Sequence, residues 1–173
     1  MIRIEHSVGI IGIGNPDRGD DGIGLRVVAD LAARLPQRCK VMACSGDVLS
    51  LVNEWRQWDA VVCVDAAEPD GRPGRIRRFD LAVTRLPVLR SSVSSHAVGL
   101  SEAIALAKAL HCLPPRVIVY AVEGSQFGLG AGLSPKVERA IARVAARVDE
   151  DIRLLASGSS DHHNEFLHES LQR

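Results

Sequence analysis

Short runs of branched apolar residues, separated by segments with helical spacing, constrain this fold most. They are SVGIIGI at Ser7–Ile13, DAVVCV at Asp59–Val64 and VIVYAV at Val117–Val122. Such continuous runs are typical of strands buried on both faces of a parallel sheet. We therefore expect a single three-layer α/β domain over residues 1–156, with a mostly parallel, twisted sheet of about five strands and helices on both faces.

Weaker signals place the remaining elements. Arg75–Asp80 alternates in polarity and is predicted to form an edge strand. Ser134 is expected to cap the last helix, with Pro135 at its first position. The segment 157–173 is polar, has no core pattern and is predicted to be a disordered tail. The other predictions are a strand at Lys40–Cys44 and helices at Asp21–Leu35 (closed by Pro36), Leu49–Trp58 (with Asp47 or Ser50 near its start), Ala97–Leu110 and from Pro135 to about Leu155.

The composition excludes several classes of protein. The chain has 21 basic and 21 acidic residues, and this balance argues against a dedicated nucleic-acid binder. Apolar runs fall short of the roughly 18 residues that a membrane span needs, and no signal peptide is visible. None of the four cysteines forms a CxxC pair, and Cys44 and Cys63 are expected to be core residues. We expect a cytoplasmic protein that binds neither nucleic acid nor membrane.

Three polar residues occupy positions where ligands bind in open α/β sheets. Asp21 follows the loop after the first strand, Asp65 ends the third strand, and His96 precedes a helix. Two carboxylates and an imidazole would suit a divalent transition metal such as nickel or zinc. Taken singly, each residue also has an ordinary explanation, as a helix-capping acid, a loop cap or an exposed helix start.

The turn Gly12-Ile13-Gly14 invites comparison with a dinucleotide-binding fingerprint. That fingerprint requires a third glycine at position 17, where this chain has Asp17. The acidic loop would also repel a pyrophosphate group. A nucleotide-binding α/β enzyme therefore remains only a competing interpretation.

Four short motifs follow one another along the chain. They are GIGNPDRGDDGIG at Gly12–Gly24, VDA at Val64–Ala66, SHAVGL at Ser95–Leu100 and GLSPKV at Gly132–Val137. Together they resemble the signature of the nickel–iron hydrogenase maturation endopeptidases, and the likeness runs from residue 7 to about residue 150. This chain departs from the pattern at Ser45-Gly46-Asp47, where many members carry an acid followed by two glycines.

The resemblance implies a site, a substrate and a metal. By motif position, Asp21, Asp65 and His96 would be the catalytic and metal-binding residues. The substrate would be the precursor of the hydrogenase large subunit, which loses a C-terminal peptide after nickel insertion. The nickel would arrive already seated in that precursor.

Mechanism remains open at the level of the sequence. We find no GxSxG elbow, Cys/His signature or HExxH helix, so metal-assisted peptide hydrolysis is our hypothesis. A non-catalytic chaperone that binds nickel or the precursor is the main alternative. The basic cluster (Arg72, Arg75, Arg77 and Arg78) has two interpretations, a charge-protected edge strand or a docking surface for the precursor. The tail histidines His162, His163 and His168 could bind nickel or belong to a disordered segment.

Overall fold

A five-stranded sheet forms the centre of the molecule. The computed structural model describes residues 7–35, 39–45, 47–84 and 99–157. The strand order is β2-β1-β3-β5-β4, with every neighbouring pair parallel except β4 and β5, which are antiparallel. The strands are β1 (Val8–Ile13), β2 (Cys39–Cys44), β3 (Ala60–Ala67), β4 (Ile76–Asp80) and β5 (Arg116–Glu123).

Helices cover both faces of this sheet. A 3₁₀ turn at Gly19–Gly22 leads directly into the first helix. No helix among the described residues is long and apolar enough to cross a bilayer. The helices are α1 (Ile23–Ala32), α2 (Val48–Trp55), α3 (Leu100–Ala109), α4 (Pro135–Glu138) and α5 (Ile141–Ser157).

Two apolar clusters form the core, one on each side of the sheet. On one side, Val62 and Ile118 pack with residues of α1 and α5. On the other, Cys63 and Val119 pack with residues of α2 and α3. Alternate residues of each central strand face opposite clusters, so these strands are apolar on both faces, as their continuous apolar runs indicate.

The predicted architecture is confirmed, with differences at element ends. Asp65 lies inside β3, which continues to Ala67, so it does not end the strand. Asp21 lies in the 3₁₀ turn instead of α1. Asp47, not Ser50, caps α2, because its side chain accepts a hydrogen bond from the N–H of Leu49 at 3.1 Å.

Helix ends and the last helix also differ from the prediction. The second helix ends at Trp55, three residues before the predicted end. The last helix is interrupted, because turn residues separate α4 from α5. The predictions for Pro36, Gly46, His96 and the segment 158–173 lie outside the described residues.

Candidate active site

Asp21 and Asp65 meet at the edge where the parallel strands end. Asp65 lies on β3, between β1 and β5 in the sheet. Asp21 lies in the 3₁₀ turn that follows β1. The two carboxyl groups are close enough that the charge of Asp21 contributes to the pKa of Asp65. Their meeting was expected from the sheet edge that they share, and it is the main feature of this site.

Two glycines allow this close approach. A Cβ atom at Gly24, in the first turn of α1, would lie 2.3 Å from the carbonyl oxygen of Val64, directly before Asp65. A Cβ atom at Gly14 would lie 1.8 Å from the backbone oxygen of Asp21, and Gly14 has a φ of 135°. Any side chain at either position would push the 3₁₀ turn away from β3. The glycines of the first motif therefore shape the site.

The carboxyl group of Asp21 is buried and only partly satisfied. Its Oδ2 accepts a hydrogen bond from the N–H of Asn15 at 2.8 Å. Burial raises the pKa of Asp21 above its ordinary value, although the bond from Asn15 and the charge of Arg18 act in the opposite direction. Among the described residues, Asn15 is the one donor to this carboxylate, so oxygen lone pairs remain available to a ligand.

Asp65 is the more strongly perturbed of the two acids. Burial, followed by the charge of Asp21, raises the pKa of Asp65 to about 7. The N–H of Ala66 donates a 2.8 Å hydrogen bond to Oδ1 and only partly offsets these effects. Two adjacent carboxyl groups that share so few donors hold one proton readily, or a cation in its place.

The chemistry of these residues fits a divalent cation. Carboxylate oxygens are hard, anionic ligands, and a cation between them would relieve their mutual repulsion. The part of the chain that the structure describes contains no group of three metal-ligating side chains. The third expected ligand, His96, lies outside the described residues, in the segment that precedes Gly99 and α3.

Asp20, next to Asp21, has a different environment. It is fully buried and accepts hydrogen bonds from the N–H groups of Ser125, Gln126 and Ser134 and from both serine hydroxyls. Burial alone would raise the pKa of Asp20, but the bonds from Ser134, Ser125 and Gln126 outweigh it and lower the pKa. Asp20 thus fastens the loop after β5 to the 3₁₀ turn.

The same contacts correct the prediction for Ser134. It occupies the N-cap position of α4, but its side chain makes no capping hydrogen bond. Its hydroxyl group instead donates to Oδ2 of Asp20 at 2.8 Å. A hydrogen bond to a carboxylate is charge-assisted and strong, so the orientation of the Ser134 hydroxyl is set by Asp20 and not by the N–H groups of α4.

Glu123 was not predicted from the sequence. This residue ends β5 and is fully buried. Its Oε1 accepts hydrogen bonds from the N–H groups of Asp70 at 2.7 Å and Arg72 at 2.5 Å, in the loop after β3. Its Oε2 is buried and, within the described part of the chain, has no hydrogen-bond partner. The sequence carries no signal for this residue except an acid at the end of an apolar strand.

Cys63 lies two residues before Asp65 on β3 but is not a candidate nucleophile. Cys63 is fully buried in the core between β3 and the α2–α3 layer, which confirms its predicted role. Burial, followed by the charges of Asp65 and Cys44, raises the pKa of the Cys63 thiol far above its ordinary value. Cys63 is therefore held as a thiol, and thiols are poor nucleophiles.

Comparison with known proteins identifies the family. A family model described as hydrogenase maturation protease (HycI) matches residues 25–150, a range that includes Asp65 and His96 and begins after Asp21. The coenzyme F420 hydrogenase subunit delta of Methanothermobacter thermautotrophicus is 30% identical over 157 residues, covering 83% of this chain and 92% of the relative.

One further relative and one solved structure are also similar to this chain. The hydrogenase expression/formation protein HupD of Thiocapsa roseopersicina is 26% identical, covering 81% of this chain; the chain spans 65% of that relative's length. The fold resembles the hydrogenase maturating endopeptidase HybD from Escherichia coli, with a TM-score of 0.69 and 22% identity over 84% of this chain and 91% of that one. The chain therefore belongs to the hydrogenase maturation protease family.

Proposed function

We propose that this protein is an endopeptidase that removes the C-terminal extension of the nickel–iron hydrogenase large-subunit precursor after nickel insertion. Membership of the hydrogenase maturation protease family supports the class of reaction and the kind of substrate. The observation that carries the proposal is the pair Asp21 and Asp65, two neighbouring carboxyl groups with few internal donors at the carboxyl edge of the sheet.

In this proposal, Asp21, Asp65 and His96 bind the nickel ion that the precursor carries. Only a correctly loaded precursor would then be held with its scissile bond at the site. Bound nickel would supply Lewis acidity, which polarises a carbonyl group or acidifies a water molecule. The protein contributes a rigid edge, because Gly14 and Gly24 fix the turn of Asp21 against β3.

One of the carboxyl groups can also move a proton. Asp65 has a pKa of about 7, near the value that suits a general base or acid at neutral pH. Asp21 is the other candidate, since its pKa is also raised. A carboxyl group that acts in this way would do so instead of binding nickel, and it would accept the proton of the attacking water.

A processing assay tests this proposal with three variants. Asp65→Asn, Asp21→Asn and His96→Ala should each leave the precursor at its full mass, whereas the wild-type protein shortens it. Asp17→Asn, an exposed acid of the same loop, is the matched control and should process normally. Normal processing by all three site variants would exclude this site.

A non-catalytic partner of the precursor is the second candidate. The name of the relative from Methanothermobacter thermautotrophicus describes a hydrogenase subunit and not a protease. A protein of this kind would bind the precursor tightly and leave its mass unchanged. Mass spectrometry of the precursor after co-incubation therefore separates the two candidates.

A further inference from the structure

The basic cluster of Arg72, Arg75, Arg77 and Arg78 was predicted to be either a charge-protected edge strand or a docking surface. The hydrogen-bond and ion-pair partners of each arginine help to decide between the two. Arg78 makes a paired hydrogen bond to Asp151 of α5, at 2.8 and 2.9 Å. Arg75 is exposed and lies 3.6 Å from the carboxylate of Asp70. Both arginines are thus engaged by acids of this chain. Arg72 is exposed to solvent.

Arg77 is different. Its Nε atom is buried and has no hydrogen-bond partner among the residues that the structure describes. Its side chain makes no hydrogen bond or ion pair with any residue in the described ranges. Burying a charged donor without a partner costs free energy, and such groups are rare in folded proteins. The guanidinium group has further N–H donors besides Nε, and the Arg77 side chain is partly exposed, so the group can still take a ligand.

The register of the sheet places Arg77 in line with Asp65. Arg77 on β4 pairs with Ala121 on β5, and Ala121 pairs with Asp65 on β3. Residues paired across neighbouring strands point to the same face of a sheet. Arg77 and Asp65 therefore share a face, about 10 Å apart by strand spacing. The one residue between them in this row is alanine, whose side chain is a methyl group.

The two end residues of this row are accessible, although the residue between them is not. Ala121 is fully buried, whereas Arg77 and Asp65, at the two ends of the row, are both partly exposed. A guanidinium group binds a carboxylate through two parallel hydrogen bonds, with more specificity than an ammonium group provides. Arg77 thus offers a positive group beside an anionic site.

We propose that Arg77 is a substrate-binding residue, which takes a carboxylate of the precursor peptide while the scissile bond lies at Asp65. This inference rests on the proposed function. The carboxylate has two possible sources, an acidic side chain near the cleavage site and the terminal carboxylate of the extension. Both present the same chemistry to Arg77.

Steady-state kinetics on nickel-loaded precursor test the inference. Arg77→Gln should raise KM about tenfold or more and change kcat by less than about twofold, because one charge-assisted interaction with bound substrate is lost. Arg77→Lys keeps the positive charge but loses the two parallel hydrogen bonds of a guanidinium group. Its KM should therefore fall between the KM of Arg77→Gln and that of wild type. Arg75→Gln removes an equal charge two residues away and should behave as wild type.

Altered precursors identify the carboxylate. Acid-to-amide substitutions near the cleavage site remove the acidic side chains there. A few residues added to the C-terminus of the extension displace its terminal carboxylate. The alteration that removes the carboxylate bound by Arg77 should raise the KM of the wild-type protein. The same alteration should leave the KM of Arg77→Gln unchanged, because that variant has already lost the interaction. Equal KM values for wild type, Arg77→Gln and Arg75→Gln would overturn the inference, as would a KM increase that no altered precursor reproduces.

Failure of the proposed function would be recognised separately. In that case the wild-type protein would leave the precursor intact. Binding of the precursor to wild type, Arg77→Gln and Arg75→Gln would then be measured by titration. A Kd about tenfold weaker for Arg77→Gln alone would support the role of Arg77, and equal Kd values would overturn it.

Discussion

The charge of Asp21 helps to raise the pKa of Asp65, although 43 residues separate them along the chain. Burial makes the larger contribution and brings the pKa of Asp65 to about 7. A folded protein that keeps two neighbouring carboxyl groups short of donors loses stability by doing so. A cation bound between them would recover that stability, so this arrangement favours a ligand site.

The first prediction concerns stability and pH. The pKa of Asp65 rises from 3.8 to about 7 on folding, so the folded state binds this proton more tightly. Binding of this proton stabilises the folded state. The stabilisation is fully present below pH 3.8 and is lost as the pH rises through 7. Asp65→Asn should therefore be more stable than wild type at pH 8, by urea unfolding, and the difference should shrink towards pH 4.

An exposed acid provides the control for this experiment. Glu150 lies on the outer face of α5, and Glu150→Gln should change stability little at any pH. A difference between Asp65→Asn and wild type that does not vary with pH would contradict the raised pKa.

The second prediction concerns competition between protons and metal. A metal ligand must be deprotonated, so nickel affinity should rise with pH through the pKa of Asp65. With a pKa of about 7, about a tenth of Asp65 is ionised at pH 6 and nine-tenths at pH 8. Nickel titration of the isolated protein should give an affinity about tenfold weaker at pH 6.

The variant Asp65→Asn tests whether this pH dependence belongs to the site. Its nickel affinity should be weak at both pH values. Strong nickel binding that survives the substitution would locate the nickel elsewhere, for example at the tail histidines His162, His163 and His168.

The third prediction separates two adjacent acids. Asp20→Ala would leave the N–H groups of Ser125, Gln126 and the buried Ser134 without their acceptor, and it should lower the free energy of unfolding by about 3 kcal/mol. Asp21→Ala removes one accepted hydrogen bond and should cost less than about 1 kcal/mol. Chemical denaturation measures both changes. Equal losses of unfolding free energy in the two variants would contradict the different roles of Asp20 and Asp21.

The fourth prediction concerns the glycine that joins α1 to β3. Gly24→Ala would place a Cβ atom 2.3 Å from the carbonyl oxygen of Val64 and should destabilise the protein by about 1–3 kcal/mol. Gly132→Ala is the matched control, because a Cβ atom there has no neighbour within 4 Å. Processing by Gly24→Ala should also slow, since the turn that carries Asp21 is displaced. A Gly24→Ala variant as stable and active as Gly132→Ala would refute this account.

The sheet could be predicted because its signals are local. β1, β3 and β5 are continuous apolar runs, and the half-buried edge strand β4 alternates in polarity. Asp65 was recognisable as an acid at the end of such a run. The strand ends were less predictable, because pairing with β5 extends β3 two residues beyond Asp65.

The different roles of Asp20 and Asp21 could not be read from the sequence. Both are acids in the same turn, and only contacts with Ser125 and Ser134, more than 100 residues away, distinguish them. The same long-range contact removes the local cap that Ser134 was predicted to form. Glu123 and Arg77 are likewise recognised by a buried, unpartnered atom, which depends on packing and not on sequence pattern.

The most direct test of the central claim is a cleavage assay on nickel-loaded and nickel-free hydrogenase large-subunit precursor, with wild-type protein and Asp65→Ala. We predict that the wild-type protein shortens only the nickel-loaded precursor and that Asp65→Ala shortens neither. Cleavage of the nickel-free precursor, or cleavage by Asp65→Ala, would contradict a metal-gated site at Asp65.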